Sequence, residues 1–378
     1  MQNVQRLLPF DRSAWIIVLG SAATTLVAGL LVAFHANAVL IFILSGVALS
    51  LLAALVGDAT EELGERLGSG ATGVLQSGLG NLPELFIGIF ALRAGLLDVV
   101  QAALVGSILG NSLFVLGLAF FVGGVRHGTQ RFSSQAPRTI ATLTLLAVSA
   151  LIVPTLVHGL HTPAAGHEEG LSIACAIILL IVFIASIPSS LQDTSKEQLT
   201  RKSQSLPPQE IVPTDPIAPV TPQPQSWPLW LTIVLLVAAG IGAAFVSDWF
   251  ITALTPAINF LHISASFTGL VIVALAGNAV ENVVGIQFAA RNQPDFAISV
   301  ILNSSLQVAL GLTPVLVLLS FVLGGAHLTL VFTPLLVAAL GLTAILSLVI
   351  IYDGESTWLE GLALIGLYGI IAVSFWWG

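Results

Sequence analysis

Apolar runs of about the length that spans a bilayer recur from one end of this chain to the other. Eleven can be marked, at residues 14–34, 37–57, 70–93, 97–124, 137–157, 170–191, 228–248, 262–290, 295–323, 328–351 and 357–377. An α-helix rises 1.5 Å per residue, so roughly 20 apolar residues cross a hydrocarbon layer of about 30 Å. The chain has 378 residues, of which 56% are hydrophobic and only 8% charged. A soluble domain is about one-quarter charged. The expected fold is an all-α polytopic membrane protein with eleven transmembrane helices. A transmembrane barrel would need alternating segments of about ten residues, a pattern the sequence does not contain.

One stretch breaks the pattern. Residues 192–227 include "SLPPQEIVPTDPIAPVTPQPQSW", with seven prolines, and read as an extended, largely disordered linker. The chain then divides into an N-terminal helix (1–36), a first half (37–191), the linker (192–227) and a second half (228–378). Arg6 and Arg12 precede the first run, and Ala36-Asn37-Ala38 resembles a cleavage site. Residues 14–34 exceed a signal h-region of about 7–15 residues, so a retained first helix is expected. With the N-terminus cytoplasmic, Arg6, Arg12, Arg66, Arg126, Arg131, Arg138, Lys196, Arg201, Lys202 and Arg291 share the cytoplasmic side and only Arg93 falls outside. That split is what the positive-inside rule expects. The short loops suggest a bacterial plasma membrane. Cys175 is the sole cysteine, which excludes an internal disulfide, and a net charge of −8 argues against nucleic-acid binding.

The two halves repeat each other. "GNLPELFIGIF" (80–90) matches "GNAVENVVGIQ" (277–287) at an offset of 197 positions. In that register Gly80, Asn81, Glu84, Gly88 and Ile89 meet Gly277, Asn278, Glu281, Gly285 and Ile286. Asp98, Ser107 and Leu109 meet Asp295, Ser304 and Leu306. The helix count gives the two copies opposite directions. Inverted repeats about an in-plane pseudo-two-fold axis are characteristic of secondary transporters. The architecture expected is one N-terminal helix plus two inverted five-helix repeats.

Both glutamates fall at mid-depth. Glu84 is nine residues from Arg93 and Glu281 ten from Arg291, or ~14 and ~15 Å along a helix. An acidic residue there costs roughly 2.5–3.5 kcal/mol on insertion scales. It must be protonated, paired or bound to a cation. No lysine or arginine lies at that depth in any run, which leaves protons and mobile cations. The alternative is a neutral glutamic acid that merely packs, and it would have to hold twice. Glycines one turn either side of each acid allow close helix approach. Pro83 should loosen the carbonyl of Leu79, either as an ion ligand or as the mark of a kink.

The neighbouring polar groups are all oxygen or amide: Gln76, Ser77, Asn81, Ser107, Asn111, Asn278, Ser304, Ser305 and Gln307. Any one of them serves equally as a helix–helix hydrogen bond. Together they suit a hard cation, since Ca²⁺ takes 6–8 oxygens whereas softer metals prefer nitrogen or sulfur. The candidate cation shell is therefore Glu84 and Glu281 with Gly80, Asn81, Gly277, Asn278, Ser107, Ser304, Ser305 and Gln307. Removal from water favours a neutral carboxyl, so Ca²⁺ and protons compete for the same oxygens. Alternate exposure of such a site to the two faces gives proton/cation antiport, with Ca²⁺ and H⁺ as cargo and no permanent cofactor.

At these residues the chain resembles the calcium/proton (cation/proton) exchangers of the calcium/cation antiporter superfamily. The resemblance rests on Gly80-Asn81-Leu82-Pro83-Glu84 and Gly277-Asn278-Ala279-Val280-Glu281. It runs on through "ATEELGERLG" (59–68), "GSILGN" (106–111), "NSSLQVAL" (303–310) and "DGESTWLEG" (353–361). It implies Ca²⁺ movement driven by a proton gradient, with Glu84 and Glu281 as carriers of cation and proton. Sodium/calcium exchangers pattern their acids differently, so the match favours protons over sodium, with Na⁺ or K⁺ coupling as the alternative. The chain departs from the family pattern at Asn282, where many members have histidine, and at Asn303, where a glycine is common. It also lacks a strongly acidic segment between the halves.

Asp58, Glu61, Glu62 and Glu65 are expected at the cytoplasmic start of the third helix, as solvated helix-terminal charges or as a cation funnel. Asp98, Asp295 and Asp248 are expected at helix ends, as caps or entry-path acids. The candidate gating or entry residues are Asp58, Glu61, Glu62 and Asp248. "HGLHTPAAGHEEG" (158–170) reads as a solvated loop. No His-Glu-x-x-His or Gly-x-Ser-x-Gly pattern lies in the runs, so a hydrolase is not expected. The sequence leaves oligomeric state open, a homo-oligomer included.

Overall fold

A computed structural model describes residues 12–67, 75, 78–204 and 227–377. Helix α1 runs Arg12–Ala33, α2 Ala38–Leu67 and α3 Leu82–Arg93. α4 spans Leu97–His127, α5 Gln135–Gly159, α6 Glu168–Gln204 and α7 Leu229–Leu261. α8 (Ala265–Gly277) and α9 (Ala279–Ala290) form a pair bent by 66°. α10 (Pro294–Leu323), α11 (Pro334–Ile351) and α12 (Trp358–Ser374) complete the order. Strands β1 (Gln130–Arg131) and β2 (Glu355–Ser356) pair antiparallel. Among the described residues, eight helices are long and apolar enough to cross a membrane, or nine if α8–α9 counts as one span. A backbone in lipid must satisfy its own hydrogen bonds, and continuous apolar helices do so.

Helix packing follows side-chain size. α4 and α8 cross closely because Gly106 and Gly269 stand at the contact. A Cβ on Gly106 would lie 2.2 Å from the Leu270 carbonyl oxygen, and one on Gly269 2.5 Å from that of Val99. Small residues let backbones meet in this way. α2 and α7 pack along their lengths, with Phe42 and Phe250 stacked at 4.6 Å and Gly46 against Phe250. α1 lies at the periphery, its Gly29 against Trp249 and its Ile16, Leu19 and Leu26 outward.

Loop contacts tie the two halves at both ends. At one end β1 pairs with β2, Arg131 meets Glu355 at 3.1 Å, and Ser133 N–H donates to Asp295 at 2.7 Å. Gln130 holds the carbonyl of Ala289 and the side chain of Asn292. At the other end Gln101 donates to the carbonyls of Thr329 and Val331, and Glu169 meets His327 at 2.9 Å.

Several sequence expectations change. The helix expected at 37–57 runs to Leu67, so Asp58, Glu61 and Glu62 stand on the last turns of α2 rather than at the start of the next helix. The helix expected at 228–248 runs to Leu261. An apolar run resumes past Asp248, so this acid is interior to α7 and not at a helix end. The run at 262–290 is not one helix. It breaks between Gly277 and Ala279, and Glu281 opens a helix instead of lying within one. The helix expected to end at 191 continues to Gln204. The proline-rich part at 205–226 lies outside the described residues, as do Gln76 and Ser77.

Candidate cation site

The two Gly-Asn-x-x-Glu segments have the same local geometry. Asn81 is the N-cap of α3 with φ −94° and ψ 18°, and Asn278 is the N-cap of α9 with φ −90° and ψ 21°. Glu84 and Glu281 each fall in the first turn of the helix that follows. Pro83 occupies the first turn of α3, where a missing amide proton costs no helical bond. The positive end of each short helix offsets part of the cost of an ionised carboxylate in the interior.

The two segments face one another. A Cβ on Gly277 would lie 2.8 Å from Cγ of Glu84, so Gly277 leaves the space that the Glu84 side chain fills. Glu84 is 8% exposed, and the Glu281 charge reaches it. Neither carboxyl oxygen of Glu84 has a hydrogen-bond partner among the described residues. Glu281 is only partly buried, so the repeat-related acids occupy unequal surroundings.

Amides and hydroxyls from α4 and α10 close around the helix breaks. The side-chain amide of Asn278 donates to Ser107 at 2.9 Å and to the Ala274 carbonyl at 2.9 Å. Its oxygen accepts from Asn111 at 3.2 Å and from Ser304 at 3.1 Å. Asn111 also donates to Ser304 at 2.8 Å. Asn81 donates to Gln307 at 3.0 Å. Ser305 pairs with Ser112 at 2.9 Å, a residue not singled out from the sequence. At these groups each helix widens into a π turn, Gly110–Val115 in α4, which holds Asn111 and Ser112, and Val308–Leu312 in α10, directly after Gln307. π-Bulges of this kind recur at functional sites.

Of the candidate shell, Asn278 meets Ser107 and Ser304, Asn81 meets Gln307, Glu84 faces Gly277, and Ser305 pairs with Ser112, with Gly80 in the turn preceding Asn81. A cavity leads from Glu84 past Gly88, Ala91 and Ala103, with Ser107 and Leu316 in its walls. Two carboxylates among neutral oxygens fit a hard divalent ion, which needs oxygen ligands and charge balance. Among the described residues no group of three or more His, Cys, Asp or Glu forms a metal cluster.

The expected gating acids lie elsewhere. Glu62 accepts the Trp227 amide proton at 3.0 Å, and the Arg66 guanidinium donates to the Trp227 carbonyl. This pair fastens the end of α2 to Trp227, two residues ahead of α7. Asp58 stands one turn nearer the interior, within reach of the Glu61 charge. Asp248 lies with Arg93 in a groove between α3 and α7. Asp295 does sit in the first turn of α10, and Asp98 in the first turn of α4. In the 158–170 loop, His158 meets Glu168 at 2.9 Å.

Known proteins resemble this chain over most of its length. The family model described as sodium/calcium exchanger protein matches residues 37–190 and 231–377. A Ca(2+)/H(+) antiporter of Synechocystis sp. is 35% identical over 340 residues, covering 89% of this chain and 90% of that protein. The Ca(2+)/H(+) antiporter ChaA of Bacillus subtilis is 31% identical, covering 97% and 99%. The solved structure of native YfkE superposes with a TM-score of 0.78 at 29% identity, covering 96% of this chain and 99% of that one.

Proposed function

The chain belongs to the sodium/calcium exchanger protein family, and from that premise we infer that it exchanges Ca²⁺ for H⁺ across the membrane it spans. Relatives over nearly the whole chain are named Ca(2+)/H(+) antiporters. Exchange coupled to Na⁺ or K⁺ has less support. The observation that carries the mechanism is the pair of Glu84 oxygens, buried, unpartnered and set against Gly277 beside Glu281.

Such a carboxylate tolerates its setting in two ways: it takes a proton, or it ligates a cation. Two ionised glutamates neutralise one Ca²⁺. Entry of Ca²⁺ releases protons from Glu84 and Glu281, and protonation from the opposite face expels Ca²⁺. Ser107, Ser304, Ser305, Asn81, Asn278 and Gln307 supply neutral oxygens when their mutual hydrogen bonds open. Exposure of the site to one face at a time makes the exchange obligatory. In this reading the spans number eleven, one N-terminal helix and two inverted five-helix repeats, with the N-terminus cytoplasmic in a bacterial plasma membrane. The matched helix breaks and π turns, 197 positions apart within a residue or so, support that arrangement.

The test uses everted vesicles carrying an imposed pH gradient. Adding Ca²⁺ should dissipate the gradient, and Glu84→Gln or Glu281→Gln should each abolish the response while the protein remains in the membrane. Ca²⁺-dependent proton movement surviving in either variant refutes the assigned roles.

A further inference from the structure

The breaks at Asn81 and Asn278 leave carbonyl groups without helical partners, and the two long helices that flank the site bear on this. α2 packs against α8 and α9, and α7 packs against α3. Ser50 of α2 donates its hydroxyl to the carbonyl of Ala276, at 3.1 Å, while also lying 3.0 Å from the Gly46 carbonyl one turn back. Ala276 immediately precedes Gly277, so its carbonyl belongs to the broken end of α8.

The other half carries matching residues in the same register, without the bond. The residue 197 positions after Ser50 is Ser247, on α7. The residue 197 positions before Ala276 is Leu79, just ahead of the Gly80-Asn81 break. Pro83 offers no amide proton to the Leu79 carbonyl four residues back. Ser247 is fully buried, and its hydroxyl has no hydrogen-bond partner among the described residues. Leu79 and Asp248, the neighbour of Ser247, line one groove between α3 and α7.

We propose that Ser50 and Ser247 are alternating latches, each donating to the carbonyl ahead of the glutamate-bearing break in the opposite half, one bond made in each state of the transport cycle. The structure holds the Ser50–Ala276 latch closed and the Ser247–Leu79 latch open. Movement of the α2–α7 pair against the site exchanges them. A carbonyl at a helix break left unpaired costs free energy, so the exchange keeps the two end states close in energy while disfavouring an intermediate with neither bond. These are positioning residues: they touch the backbone of the breaks and not the cargo. The proposal rests on the inverted-repeat reading above.

The test follows one engineered cysteine, Ala103→Cys on the cavity wall, in full-length protein whose native Cys175 is replaced by alanine, reconstituted in liposomes. The rate of labelling by a membrane-impermeant maleimide reports the balance of states. Ser50→Ala removes the latch seen closed and Ser247→Ala the other, so the two should shift the rate in opposite directions. One net hydrogen bond corresponds to roughly fivefold in each case. Ser50→Thr and Ser247→Thr, which keep a hydroxyl, should stay within about twofold of the parent. Isosteric Thr and Val replacements give the same comparison if an alanine variant does not accumulate. Shifts in the same direction, or shifts under about twofold in both, overturn the proposal. Ca²⁺-driven proton movement by the parent is measured in parallel, so failure of the latches is distinguishable from failure of the exchanger reading.

Discussion

Asn81 and Asn278 are equivalent by sequence and by backbone angle, but their side chains have unequal work. Asn278 makes three bonds to other helices, to Ser107 and Asn111 on α4 and to Ser304 on α10, plus a local bond to Ala274. Among the described residues Asn81 makes one, to Gln307. Interhelical hydrogen bonds in membrane proteins average about 0.6 kcal/mol each. Asn278→Ala should therefore lower the unfolding free energy by about 2 kcal/mol, and Asn81→Ala by about 0.6 kcal/mol, a ratio near three. Asn111 and Ser304 keep their mutual bond at 2.8 Å, which holds the larger loss near this value. The assay is reversible unfolding of the purified chain in mixed micelles, with the two variants measured beside the parent. Equal losses, or a larger loss for Asn81→Ala, would refute the reasoning. That outcome would mean that the local asymmetry in hydrogen bonding does not decide the energetics.

Two further outcomes follow from space at glycines. Gly277→Ala places a methyl 2.8 Å from Glu84 Cγ; it should displace that side chain and reduce Ca²⁺-driven proton movement at least tenfold, while the variant still inserts and elutes as a folded species. Gly106→Ala sets a methyl 2.2 Å from the backbone oxygen of Leu270, which cannot yield without separating α4 from α8. It should abolish accumulation of folded protein, whereas Gly366→Ala, with nothing within 4 Å, should leave the melting temperature unchanged or slightly raised; both are read by expression and thermal melting.

Much of the site is legible along the chain. Glu84 and Glu281 stand out because no basic residue shares their depth, and one ungapped register gathers Asn81, Asn278, Ser107 and Ser304. The helix ends are less legible, because apolarity does not report where a helix stops. Asp58, Glu61 and Glu62 looked like a boundary, but α2 continues through them until Arg66 and Glu62 can fasten Trp227. Asp248 misled in the same way within α7. Ser50 and Ser247 share the 197-residue register too. Serine is common in apolar helices, so identity alone gave no reason to choose them.

The sequence by itself determined the class of the molecule and the acids proposed for its centre. Long uncharged runs admit only helices in lipid, and two acids without basic partners admit only protons or cations. Tertiary structure decided where the helices break, which amide meets which hydroxyl, and that Gly277 makes room for Glu84. Those outcomes depend on contacts between residues far apart in the chain. Hydropathy and local spacing describe each segment alone, and they carry no record of the neighbour that makes a break at Asn278 less costly than a continuous helix.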